Sequence, residues 1–384
     1  MSAAARHLRQ ELAKLLEEEG ALTDPGWRRA VENVPREMFL GEAIFYQDEG
    51  MAGDEWRSML RGRMPKERWL EMAYSDETWV TQVNGVPAEA AGTTIVGAPT
   101  SSSTMPGLVV KMLERAGIRD GDKVLEVGTG TGYSTALMCE RLGDRQVTSI
   151  EYDQHAAARA RLALDAAGYA PTLVVGDGLA GYDENAEYDR LIATCSVRYI
   201  PLPWMVQVRD GGTITAPLSG WMPGNALAHL TLADDGTASG RFLPDNVSFM
   251  YARPHARPPR ASYVIGIGDE RESVIDPNIL ADSTGRFVAQ LGAPSAEKLG
   301  LGDEVILLDV ATGSQATTRR NPKGGGWLVR QHGPLKLWHA VEDAILTWQG
   351  AGSPHQSGFG LTVTREGQRV WLGDSDGPSW NLPA

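Results

Sequence analysis

Val124-Leu-Glu-Val-Gly-Thr-Gly-Thr-Gly-Tyr133 reads as a short apolar strand that runs into three glycines and then into a helix. The glycines at 128, 130 and 132 follow G-x-G-x-G and not the dinucleotide pattern G-x-G-x-x-G. Outward from this stretch the same alternation repeats. Lys123–Val127 is predicted as a strand and Tyr133–Leu142 as a helix. Val147–Glu151 is the next strand, followed by a helix over His155–Ala167. Further strands are predicted at Thr172–Val175, Arg190–Thr194 and Ile214–Leu218. Short strands alternating with amphipathic helices across brief turns imply an α/β fold with a parallel, doubly wound sheet.

The acidic residues at the strand ends narrow what the glycine loop would hold. Glu126 closes the first strand, and Glu151, followed by Tyr152, closes the second, about 20 positions on, where a ribose diol needs an acceptor. Asp177, in Val175-Gly-Asp-Gly178, follows the third strand and would accept from an adenine amino group. Without side chains, the loop backbone can approach a flat cofactor and leave amides to donate. A pyrophosphate would call for donors, whereas S-adenosylmethionine is cationic at sulfur and brings no phosphate. The expected cofactor-binding set is therefore Glu126, Gly128, Thr129, Gly130, Gly132, Tyr133, Glu151, Tyr152, Asp177 and Gly178, with S-adenosyl-L-methionine as the cofactor.

Composition excludes several other classes. The chain has 384 residues, 42% hydrophobic and 22% charged, with a net charge of −13. That balance suits a globular protein and argues against nucleic acid as a partner, because no basic cluster is available to displace counterions from phosphates. The short run Arg319-Arg320, with Lys323, reads as a solvated loop tip. No apolar run approaches the roughly 18 residues of a membrane span, and the charged N-terminus lacks a signal-peptide core, so a cytoplasmic location is expected. The two cysteines, Cys139 and Cys195, support neither a disulfide framework nor a zinc site, and the histidines show no close pairing apart from His332 and His339, so no metal is expected.

Three regions are expected. Residues 1–92 form a helical and irregular segment, with helices over 3–19 and from Thr23-Asp24-Pro25, and an irregular polar stretch over 41–92. Residues 93–252 form the cofactor-binding core, opening on a helix at 105–117. A proline-rich passage at Ala252–Arg260 resembles a linker. Residues 260–384 are expected to form a small α+β accessory domain for peptide recognition, with strands at Tyr263–Ile267 and Glu304–Val310, a helix at Leu335–Trp348 and a hairpin around Glu366-Gly367.

Several stretches besides the glycine loop resemble the protein-L-isoaspartate O-methyltransferases, a class I methyltransferase family. Val34-Pro-Arg-Glu-Met-Phe-Leu40 is similar to its V-P-R-x-x-F segment, and Ala73-Tyr-Ser-Asp-Glu77 to its A-Y-x-D-E stretch. Tyr188-Asp-Arg-Leu-Ile-Ala-Thr194 with Ile200-Pro201 resembles F-D-x-I-I-V-T…I-P. Gly211-Gly212 and Ala216-Pro217-Leu218 resemble the turn and strand that follow. Gly240-Arg-Phe-Leu243 and Val247-Ser-Phe-Met250 resemble the family's closing segment near the substrate. The resemblance covers residues 25–252. It departs at Thr104-Met105-Pro106, which stands where the family has Ser-Gln-Pro, and at the loop Cys195–Tyr199. The region beyond 252 has no counterpart in the ordinary repair enzyme. Long forms with such an extension resemble actinobacterial members that methylate an aspartate of a cyclised ribosomal peptide, a lanthipeptide or graspetide, where the ester closes to a succinimide.

Methylating a carboxylate is an in-line displacement that needs no general base, because the group is already ionised at neutral pH. Alignment can supply about 7–11 kcal/mol of barrier lowering. Hydroxyls suit an anionic nucleophile, and the run Ser101–Thr104 offers them. Thr104 and Ser103 are the expected catalytic contacts. Ser101, Ser102, Arg198, Val247 and Ser248 are the expected substrate-binding residues, with Arg198 as counter-ion. Trp327, Trp338, Trp348, Trp371 and Trp380 concentrate aromatic residues in the C-terminal region, either for a core of its own or as a platform for a modified precursor peptide. The leading expectation is methylation of an aspartyl carboxylate in such a peptide. General isoaspartyl repair is the alternative, and a non-catalytic cofactor- or peptide-binding partner is the third.

Overall fold

The computed structural model describes residues 3–48, 51, 53–259, 262–264, 266–301 and 304–383. Two compact units emerge: residues 1–194 with 207–213, and residues 195–206 with 214–384. These boundaries differ from the three regions drawn from the sequence.

In the first unit, four parallel strands run in the spatial order Thr172–Val175, Val147–Glu151, Val124–Val127 and Tyr188–Ala193. Val124–Val127 pairs in register with Val147–Ile150 on one side and with Arg190–Ala193 on the other. All four of its residues are buried, which explains its unbroken apolar and carboxylate pattern. The helices Tyr133–Leu142 and Gln154–Ala167 follow the first two strands. Asp153 caps the second of these, accepting from His155 N and Ala156 N.

The stretch 41–92 is more ordered than its sequence suggests. Ala43–Tyr46, Glu55–Leu60, Trp79–Val83, Val86–Pro87 and Thr94–Val96 build an antiparallel sheet, with Pro99–Ser103 added against Trp79–Val83. Ala43, Phe45, Val80, Val83 and Ala88 form its core, with Trp56, Leu60 and Ile95 packed around them. These strands are short, and Glu55–Leu60 is half-buried along nearly its whole length. Such a strand lacks the two-residue alternation that marks one in sequence.

In the second unit, Ala226–Leu232, Ala238–Phe242, Phe359–Val363, Gln368–Leu372 and Ser379–Asn381 lie side by side in that order. The hairpin expected around Glu366-Gly367 is present, and it extends the strands that precede the proline-rich passage. A second sheet runs Asp269–Glu272, Trp327–His332, Gln315–Arg320, Glu304–Asp309 and Ala296–Leu301, all antiparallel. The helices Ser283–Gly292 and Leu337–Gly350 complete the unit. Phe287 stands edge-on to both Phe242 and Phe359, with centroids 5.1 and 5.5 Å apart.

Three local expectations change. No described residue of Tyr263–Ile267 lies in a strand (position 265 is outside the described residues), because the Gln315 side chain takes both the N–H and the C=O of Val264. The passage Ala252–Arg260 is not a bare linker: His255 is buried, accepts from Arg198 N at its Nδ1, and offers its carbonyl to Trp221 Nε1. Arg319-Arg320 ends a strand, and Arg319 pairs with Glu270.

Candidate functional site

The glycine loop is held mainly by its own strand neighbours. Gly128 N and Thr129 N both donate to Ile150 O, at 2.9 and 3.2 Å, and Gly132 N donates to Thr129 O. Gly130 N donates to Glu151 Oε2 at 2.8 Å. These amides are thus satisfied within the protein, in contrast to the expectation that they are left to donate. Gly130 and Gly132 lie at φ +56° and +91°, the left-handed region that strains any side-chain-bearing residue. A Cβ on Gly130 would stand 3.7 Å from Ser102 O, so the loop faces the strand Pro99–Ser103.

Beneath the loop, Glu126 is fully buried. It accepts from Ser134 Oγ, from Thr135 Oγ1 at 2.5 Å and from Ser149 Oγ at 2.7 Å. Burial raises its pKa, against the lowering effect of the three hydroxyls. Thr129 turns its hydroxyl to Ser149, at 2.6 Å. Tyr133 is buried against Phe39 and the Arg36 guanidinium, and burial pushes its phenol up to about 12. Glu126, Thr129 and Tyr133 therefore form the foundation of the loop.

The groups presented outward are Glu151, Tyr152, Asp177 and Gly178. Glu151 is half-buried and accepts from Gly130 N and, at 2.9 Å, from Asp153 N. Tyr152 is 53% exposed. Asp177 is exposed and accepts only from Leu179 N among the described residues. Gly178 packs so closely that a Cβ would fall 2.4 Å from Val127 Cγ1. Partly exposed carboxylates around a loop free of basic side chains fit a ribose diol, an amino group and a sulfonium better than a pyrophosphate. Glu151, Asp177 and Gly178, with the backbone at Gly128–Gly132, would hold S-adenosylmethionine.

The hydroxyl run sorts into two sets. Ser101–Ser103 is in a strand, not a loop, with Ser103 opposite Trp79 and Ser102 opposite Val80. Ser101 and Ser103 turn inward, and their hydroxyls, with that of Thr81, are buried without a hydrogen-bond partner. Alternation sends Ser102 to the other face. Ser102 and Thr104 are half-buried, and among the described residues neither hydroxyl has a partner. The accessible pair is thus Ser102 with Thr104, and the Ser103 hydroxyl is not presented.

The remaining candidates belong to the second unit. Arg198 stacks over Trp221, 3.7 Å from the ring centroid, and donates from Nη2 to Pro294 O at 3.0 Å. Burial lowers its pKa. Val247 is buried and Ser248 exposed. Of the C-terminal tryptophans, Trp327, Trp338, Trp348 and Trp371 are buried, which makes them core and removes the exposed platform; Trp380 is half-buried against Phe359.

Residues with no role assigned from the sequence also shape this region. Arg36 is buried under Ser103 and Thr104, Asp76 Oδ1 accepts from Gly107 N, and Thr78 Oγ1 accepts from Met105 N. Arg36 and Asp76 carried a signal in the V-P-R and A-Y-S-D-E stretches; Thr78 follows the second directly and carried none.

The strand order, the glycine loop and the acidic strand ends define a class I S-adenosylmethionine-dependent methyltransferase. The family described as Protein-L-isoaspartate(D-aspartate) O-methyltransferase (PCMT) matches residues 61–241. The chain is 32% identical over 238 residues to the protein-L-isoaspartate O-methyltransferase of Ignicoccus hospitalis, covering 62% of this chain and 93% of that protein. It is 33% identical over 197 residues to that of Thermococcus sibiricus, covering 51% and 78%. The chain belongs to the protein-L-isoaspartate O-methyltransferase family, and it is a protein carboxyl O-methyltransferase that uses S-adenosylmethionine. A solved protein-L-isoaspartate O-methyltransferase shares the fold with a TM-score of 0.55 at 19% identity, along 95% of this chain and 100% of that one. That likeness extends along the C-terminal region and concerns the fold alone.

Proposed function

We propose that this enzyme methylates the free α-carboxylate of isoaspartyl residues in peptides and proteins, the first step of their repair. The observation that carries this reading is the pair of unpartnered hydroxyls, Ser102 on the strand that faces the glycine loop and Thr104 just past its end. A carboxylate with a pKa of about 3.5 is ionised at neutral pH, so the site needs no base. Thr104 and Ser102 would donate to one carboxylate oxygen and leave the lone pairs of the other free to react. When bound, S-adenosylmethionine supplies an electrophilic methyl on a sulfonium: the new O–CH3 bond forms as the S–CH3 bond breaks, and the electron pair stays on sulfur. The released ester is then attacked by the next residue's amide nitrogen, methanol leaves, and a succinimide forms whose hydrolysis returns part of the population to aspartate.

The cyclised-peptide substrate rested on resemblance and on the tryptophans, and the buried tryptophans withdraw that second support. The discriminating experiment compares initial rates of labelled methyl transfer to a flexible isoaspartyl peptide, its aspartyl analogue and a cyclised aspartyl peptide. Preference for the isoaspartyl peptide supports repair. Turnover confined to the cyclised peptide overturns it in favour of peptide maturation, and no turnover on any of the three leaves cofactor binding alone.

A further inference from the structure

Arg36 is the last residue of Val34-Pro-Arg36 and is completely buried. No carboxylate pairs with it among the described residues. Its terminal nitrogens instead donate to five carbonyl oxygens from two distant segments. Nη1 reaches Ala73 O at 3.0 Å and Ser75 O at 2.8 Å. Nη2 reaches Glu77 O at 2.7 Å, Ser103 O at 3.3 Å and Thr104 O at 3.2 Å. The Tyr133 ring lies 5.7 Å from the guanidinium carbon, on the residue that follows the glycine loop.

Burying a cation without a counter-ion is costly, and an apolar side chain would fill the space more cheaply. What the guanidinium adds is geometry: a rigid planar fork can fix several acceptors at once, which neither lysine nor an aliphatic residue can do. The acceptors include the carbonyl of the residue proposed to meet the substrate. The next amide, Met105 N, is held from the Thr78 hydroxyl at 3.0 Å, and Gly107 N from Asp76 at 2.6 Å. Thr104 thus sits in a backbone turn pinned on both sides, while its own hydroxyl is left without a partner. Burial lowers the Arg36 pKa to about 10, so the fork remains charged at neutral pH.

We propose that Arg36 is a positioning residue for carboxylate methylation, acting through the Thr104 backbone to aim the Thr104 hydroxyl at the substrate. This rests on the isoaspartyl reading above. A double-mutant cycle tests it, because a residue acting through another loses its effect when that other is removed. The proteins are wild type, Arg36→Lys, Thr104→Ala and the double variant, each with its melting temperature, its affinity for S-adenosylhomocysteine, and kcat/KM on an isoaspartyl peptide. We expect Arg36→Lys to bind S-adenosylhomocysteine within about threefold of wild type and to lose roughly 30-fold or more in kcat/KM, a loss that falls to a few-fold in the Thr104→Ala background. Equal losses in both backgrounds overturn the proposal, as does full activity in a folded Arg36→Lys. Arg36→Gln, which keeps two donors, repeats the cycle if the lysine variant does not fold; failure of both to fold assigns Arg36 to folding and overturns the positioning role. A wild-type enzyme inactive on the peptide overturns the functional reading itself, which the wild-type arm reports separately from the variants.

Discussion

Glu151→Gln tests the cofactor assignment with the smallest change of shape. The two carboxylate oxygens of Glu151 accept from Gly130 N at 2.8 Å and from Asp153 N at 2.9 Å. An amide of the same shape offers one acceptor and turns an N–H2 toward the other backbone donor. It also removes the charge that a ribose diol would meet. A hydrogen bond to a charged group contributes about 1.5–3 kcal/mol, so affinity for S-adenosylhomocysteine should fall roughly 10- to 150-fold. Because one of the two backbone donors loses its acceptor, the ligand-free melting temperature should also fall, and affinities are compared at a temperature where the variant is folded. Calorimetric titration reads the affinity directly. Thermal melts give a second reading, because ligand present at 100 times its Kd stabilises by about 2.7 kcal/mol, and a hundredfold weaker site retains about 0.4 kcal/mol of that. Binding within about threefold of wild type in a folded variant would refute the placement of the cofactor at this strand end.

Three further outcomes follow from the same geometry. Glu126→Ala should destabilise the protein by about 3 kcal/mol or more in chemical denaturation, because the Ser134, Thr135 and Ser149 hydroxyls are stranded together; Glu126→Gln should cost clearly less. Gly178→Ala forces a methyl group to 2.4 Å from Val127 Cγ1, and the overpacking should cost about 1–3 kcal/mol together with a loss of cofactor affinity, read by melts with and without ligand. Burial raises the Glu342 carboxyl, but the Arg271 guanidinium, Val274 N and the Ser273 hydroxyl outweigh it and leave the pKa below its ordinary 4.5. Its contribution to stability is therefore present above pH 4.5 and lost as the pH falls through the folded value, so Glu342→Gln should flatten the acid limb of a denaturation-midpoint profile. An unchanged acid limb would show that this pair does not set it.

What was legible in the sequence was what local periodicity and turn chemistry record. Val124–Val127, Val147–Glu151 and Thr172–Val175 are short segments rich in Val, Ile, Leu and Thr, two of them followed directly by glycine, and their strands fall at or within one residue of the expected bounds. Glu151 and Asp177 were legible as carboxylates at or just beyond strand ends, because the strand bounds fix their location. Illegible was anything set by distant pairing. Glu55–Leu60 becomes a strand only because Ala43–Tyr46 and Thr94–Val96 flank it. The division of the serines, with Ser101 and Ser103 turned inward and Ser102 outward, depends on the register of Pro99–Ser103 against Trp79–Val83, which no local pattern shows. Arg36 read as one letter of a motif; its role depends on carbonyls 37 to 68 positions away. The tryptophans of the C-terminal region carried no sign of which face they occupy.

The most direct test of the central claim follows a single isoaspartyl peptide by mass spectrometry through incubation with wild-type and Thr104→Ala enzyme and S-adenosylmethionine. Wild type should add one methyl group, the ester should then lose methanol, and isoaspartate should decline over repeated cycles. Thr104→Ala should bind S-adenosylhomocysteine normally yet methylate at least about tenfold more slowly, the loss of one charge-assisted hydrogen bond. A wild type that leaves the isoaspartyl peptide unmodified while methylating a cyclised aspartyl peptide, or a Thr104→Ala variant as fast as wild type, would contradict it.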